Sequence, residues 1–201
     1  MSTPNQGLEE VRTLCRRVLG AGPAANEATA RAFVDAGPND RLAVLAAALR
    51  ACDQLAGDGR GPADAESPAS GLADAVAGEL AAASARLPAG QRAVLALRER
   101  LGLSYEEIAT VVGLDPPGVA SLLAQARLEL RAQRRGGGAG AAAGCEQRER
   151  VLSIIARRQD GEPRAPEDDD WLMDHLVRCR RCEEAHAAML EGSVCYRAWQ
   201  G

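Results

Sequence analysis

Apolar side chains recur at helical spacing in one segment after another along this chain. Leu8, Val11, Leu14, Cys15 and Val18 share one face of a helix, and Gly20 to Pro23 break it. A second helix is expected over 26–35, with Phe33 as its one large anchor, and a third from Asp40 to about Leu55. Leu72 to Arg86 reads as an alanine-rich helix. Ser104 and Glu107 then form an S-x-x-E capping box, so a helix should start at Tyr105, with Ile108, Ala109 and Val112 on its apolar face. Gly113 suits the left-handed conformation that ends this helix, and Leu114 is expected to be the buried residue of the turn. Asp115 is a good N-cap for the next helix, and Pro116 fits its first position, where no amide bond is lost. Val119, Leu123, Ala126 and Leu130 follow at i, i+4, i+7 and i+11, which is one buried stripe. Two helices joined by a tight glycine turn match a helix-turn-helix. No strand pattern appears, so the expected class is all-α, built from small helical modules.

Composition sets the module size. Of 201 residues, 46% are hydrophobic but only 2% aromatic; alanine supplies much of the hydrophobic share, and 21 residues are glycine. Small side chains bury little area each, which favours small helical units. Two stretches rich in glycine, alanine, proline and acids, 58–71 and 136–144, read as linkers. They divide the chain into modules at 7–57, 72–135 and 145–192. All 24 basic residues are arginine, and the net charge of −4 argues against a sequence-independent nucleic-acid coat. No long apolar run or signal-peptide core is present, so the expected location is cytoplasmic. In that reducing setting the six cysteines read as metal ligands or free thiols.

The segment from Leu87 to Arg135 resembles region 4 of the extracytoplasmic-function sigma factors. The parallel runs through Leu87-Pro88, the helix from Gln91 to Arg98, the Leu103-Ser-Tyr-Glu-Glu-Ile-Ala109 helix, and a recognition helix from Val119 to Arg131. The resemblance implies docking on RNA polymerase core and recognition of promoter DNA. One departure matters. The expected outward face is Gly118, Ala120, Ser121, Leu122, Ala124 and Gln125, where the family usually carries Lys and Arg. Only Ser121 and Gln125 there can read a base edge. Arg127, Arg131, Arg134 and Arg135 sit at the far end, placed for phosphates. Residues 88–135 carry seven arginines against five acids, a net charge of only +2. Leu122 admits two readings, a protein contact or a member of a wide core stripe.

The N-terminal module resembles region 2 of the same factors. Leu14 to Gly20 corresponds to the first helix, Ala24 to Val34 to the polymerase-docking helix, and Arg41 to Asp53 to the promoter-melting helix. Leu42 stands where the family usually has tryptophan, and only Arg41 and Arg50 are cationic in the Arg41–Arg50 stretch.

The C-terminal module carries His175-x-x-x-Cys179-x-x-Cys182, with Cys145 upstream. On one helix His175, Cys179 and Cys182 would follow one another turn by turn. Imidazole and thiolates are the donors zinc prefers, and three cysteines with one histidine make a common closed tetrahedral set. Zn2+ bound by Cys145, His175, Cys179 and Cys182 would staple two helices in a module with little core of its own. His186 and Cys195 are rival fourth donors. The motif resembles the zinc-binding anti-sigma domain, whose members clamp sigma regions 2 and 4. Here clamp and target share one chain, so the local concentration of each for the other is high. The metal would then be structural or part of a switch.

No phosphate loop, nucleophile elbow or dinucleotide fingerprint occurs, so an enzyme is not expected. The reading is a sigma-like transcription regulator that binds polymerase core and promoter DNA, with a fused zinc module. The alternative keeps the sigma scaffold as an anti-sigma or co-regulator module that does not read DNA.

Overall fold

The computed structural model describes residues 4–37, 39–58, 72–136 and 144–199. The expected linkers, 58–71 and 136–144, fall almost wholly outside them. The described residues form ten α-helices and no strand. They are α1 (Pro4–Leu19), α2 (Pro23–Ala36), α3 (Arg41–Gly57), α4 (Leu72–Ala85), α5 (Ala89–Leu95), α6 (Tyr105–Val112), α7 (Pro116–Arg134), α8 (Arg148–Gln159), α9 (Pro166–Arg178) and α10 (Arg180–Ala198). A π turn, Ala96–Arg100, follows α5. No helix among them is long and apolar enough to cross a membrane.

Helices α1, α2 and α3 pack as a bundle. Alanines let its backbones come close: Ala25, Ala28 and Ala32 on α2 and Ala47, Ala48 and Ala51 on α3 are all buried. Asp40 caps α3 by accepting from the Ala43 amide. Arg41, at the start of α3, is held by Glu10 at 2.8 Å and lies 3.9 Å from Glu107 on α6. The bundle therefore meets the helix-turn-helix through α3 and α6.

The caps expected from sequence are present. Ser104 and Glu107 close a reciprocal capping box on α6. Gly113 ends α6 at φ 71°, a left-handed conformation that a side chain would strain. Asp115 caps α7 by accepting from the Gly118 amide at 2.8 Å. Leu114 differs from expectation. It is 46% exposed, because it stands on the rim of a groove between α3 and the helix-turn-helix.

Helix α7 is the centre of the molecule. Helices α4, α5 and α6 pack on it from its own module, and α8 and α10 pack on it from the C-terminal part. One continuous buried cluster runs from Val11 to Tyr196 as a result.

Candidate nucleic-acid interface and metal centre

The expected outward face of α7 is largely covered. Ala120 and Ala124 are fully buried, a correction to the sequence reading: helices from α7's own module and from the C-terminal part pack on α7, and this side of it is not open to solvent. Leu122 is partly buried against the core and lines the groove beside Leu114. Ser121 is half-buried and Gln125 is exposed, so both candidate base readers keep some access to solvent.

Arg127, Arg131 and Arg134 of α7 and Arg135, its C-cap, all face acids. Arg127 is fully buried, and its Nη2 donates to Glu99 Oε1 at 2.6 Å and to both Asp160 oxygens at 2.8 and 2.9 Å. In this arrangement it is an ion-pair residue of the interior and is not free to meet a phosphate. Burial opposes its charge, but Glu99 and Asp160 outweigh burial and raise its pKa. Tyr105 Oη donates to Asp160 Oδ2 at 2.6 Å. Burial first, and then the Asp160 charge, raise the Tyr105 pKa. Arg98 Nη1 binds Glu162 at 3.0 Å, and Arg197 Nε binds Glu99 at 2.6 Å. Three guanidinium groups thus meet three carboxylates, with Asp160, Glu162 and Arg197 contributed by the C-terminal part.

Farther along α7 a single carboxylate serves three arginines. Glu191 on α10 accepts from Arg131 Nε at 3.2 Å and from Arg135 Nη2 at 2.9 Å, and lies 3.6 Å from Arg134 Nη1. Partial burial works against the Glu191 charge, yet hydrogen bonds from Arg135 and Arg131 prevail and lower its pKa. Arg134 also donates to Cys195 Sγ at 2.9 Å.

Gly192 explains how α10 approaches so closely. A Cβ there would lie 2.5 Å from the Arg127 carbonyl oxygen, so only glycine fits. The end of α10 reaches α1, where Arg17 stacks 3.5 Å above the Trp199 ring and donates to the Trp199 carbonyl at 2.9 Å. Burial lowers the Arg17 pKa to about 10. These partners escaped the sequence reading. The available signals were a glycine in mid-helix at 192 and an arginine at 127 beside the buried stripe.

The cysteine and histidine side chains converge as their spacing suggested. The donor atoms of Cys145, His175, Cys179 and Cys182 lie within 4.8 Å of one another. Cys145 Sγ and His175 Nε2 are 3.5 Å apart. Bond lengths of about 2.1–2.3 Å to a tetrahedral ion set donor–donor distances of roughly 3.5–3.8 Å; the Cys145–His175 pair meets that range, and the group as a whole could hold a metal ion. His186 and Cys195 are not in the group. The local structure corrects one expectation. His175, Cys179 and Cys182 do not share one helix: α9 ends at Cys179, which also begins α10. A straight helix would spread His175 and Cys182 over roughly 10 Å of axis, too far for one ion. The corner at Cys179 folds them together. Hydrogen bonding, first from the Cys182 backbone amide, lowers the Cys179 pKa, whereas burial pushes Cys182 up to about 12. Trp171 stacks on the His175 ring with centroids 5.3 Å apart and steadies it.

No curated protein and no solved structure matches the chain. Residues 77–130 match the family model described as sigma-70, region 4. The capped pair α6–α7 and the helices that support it are therefore similar to the region 4 unit.

Proposed function

We propose that this protein binds RNA polymerase core and promoter DNA as a sigma-like factor, and that a zinc-stapled C-terminal module regulates it. The capped helix-turn-helix inside the region 4 match carries this reading. On this reading the three-helix bundle α1–α3 is the region 2-like partner module expected over 7–57, and α4–α7 the region 4-like module expected over 72–135. Ser121 and Gln125 are the base-reading candidates, and Arg127, Arg131, Arg134 and Arg135 the phosphate-facing set once α7 is uncovered. Zn2+ is the ion that suits Cys145, His175, Cys179 and Cys182, since thiolate and imidazole donors in a closed set favour it.

The test is co-purification of the full chain with polymerase core, with and without promoter DNA, across a salt series. Core binding with a salt-sensitive contribution from DNA is expected. Failure to bind core would overturn the proposal. The covered face of α7 favours a second reading, a co-regulator that never reads DNA. Core binding with no DNA-dependent, salt-sensitive part would select it.

A further inference from the structure

Arg127, Arg131, Arg134 and Arg135 are spaced i, i+4, i+7 and i+8, so they lie along one side of α7. A row of guanidinium groups of this kind neutralises consecutive phosphates on a duplex. In this structure carboxylates occupy the row instead. Glu191 gives one oxygen to Arg131 and both to Arg135, with Arg134 close by, the two-oxygen approach a phosphate would make. Asp160 offers both oxygens to Arg127. We infer that the C-terminal module is a DNA-backbone decoy, in which Glu191 and Asp160 hold the phosphate-binding arginines of α7 and duplex DNA must displace them. This rests on reading α7 as the DNA-facing helix and adds how that helix is kept from DNA.

The two acids differ in accessibility, which gives the decoy an order of opening. The Glu191 side chain is 27% exposed and its arginines 28–58%, whereas Arg127, Glu99 and Asp160 are at most 1% exposed. An incoming phosphate meets the Glu191 end first. Arg127 opens last: Asp160, at the end of α8, must leave it, and Glu99 of the π turn stays bound to it as a partner within the same module.

The test is the affinity of the full-length, zinc-loaded protein for a fluorescent duplex of arbitrary sequence, since phosphate contacts carry no sequence information. Wild type is compared with Glu191→Gln, Gly192→Ala, Glu191→Gln combined with Arg131→Gln and Arg135→Gln, and Glu184→Gln. Glu184 is an exposed acid on the same helix that pairs, among the described residues, with Arg180, so it controls for loss of one negative charge. Glu191→Gln and Gly192→Ala should each bind the duplex about tenfold more tightly. Each freed phosphate contact should steepen the salt dependence by about 0.9 in log–log slope. The triple variant should fall back to wild-type affinity or below, and Glu184→Gln should match wild type. Glu191→Gln and Gly192→Ala both binding no more tightly, with wild-type helicity and zinc content, would overturn the decoy. Polymerase retention by the same proteins separates the two claims. Retained polymerase with unchanged duplex affinity rejects the decoy and leaves the sigma-like reading standing. Tighter duplex binding with no polymerase retained by any form does the reverse.

Discussion

Arg127 and Arg135 lie on the same side of α7, yet their surroundings are opposite. Arg127 is sealed with Glu99 and Asp160, and Arg135 is 58% exposed beside Glu191. A sealed ion pair is hard to open, because removing one partner leaves the other charge stranded in the interior. A half-exposed pair is worth little and is screened by salt. The same helix therefore carries a deep anchor at one point and a soft latch eight residues later. Geometry at the anchor fixes where the C-terminal module sits. Electrostatics at the latch sets how readily α7 becomes available.

Four perturbations probe this contrast. Metal removal should act most strongly, since thiolate–zinc bonds contribute on the order of 10 kcal/mol in small structural sites. Cys179→Ser, or a chelator on wild type, should strip the ion and disorder the corner between α9 and α10, read by metal analysis and loss of helicity. Zinc content equal to wild type in Cys179→Ser would remove that residue from the ligand set. Next is the anchor. Asp160→Asn should cost about 3–5 kcal/mol in denaturant unfolding, because Arg127 loses a buried counter-charge and Tyr105 loses a charged acceptor. A cost near zero would mean the anchor is not closed in solution. Gly192→Ala comes third, with a penalty of about 1–3 kcal/mol from forcing α10 off the Arg127 carbonyl. Its thermal midpoint should fall even though no charge changes. The latch is the smallest effect: Glu191→Gln should lower stability by at most about 1 kcal/mol, and that difference should vanish in high salt. A salt-independent loss would show that packing, not charge, holds that end.

The contrast also explains what was legible in the sequence. The helix-turn-helix could be read because its signals are local: Ser104 with Glu107, Gly113 in the left-handed region, Asp115 before Pro116. The grouping of Cys145, His175, Cys179 and Cys182 could be read from spacing, but the helix break at Cys179 that folds His175 and Cys182 together could not, since it has no local signature. The π turn at Ala96–Arg100 has no local signature. The covering of Ala120 and Ala124 was hidden for a similar reason. Periodicity reports that a face is apolar or small, not which distant element lies against it. The acids that hold α7, Asp160 and Glu191, come from far along the chain. Leu114 fits the same account, since its exposure depends on where α3 ends up.

Amide hydrogen exchange on the intact, zinc-loaded protein at saturating duplex DNA tests the central claim most directly. The account predicts that DNA deepens protection over α7 while protection over the second half of α10, residues 188–198, falls as Glu191 and Gly192 leave α7. DNA bound at saturation with α10 protection unchanged would contradict it, because the arginines would then reach phosphate without releasing their carboxylates.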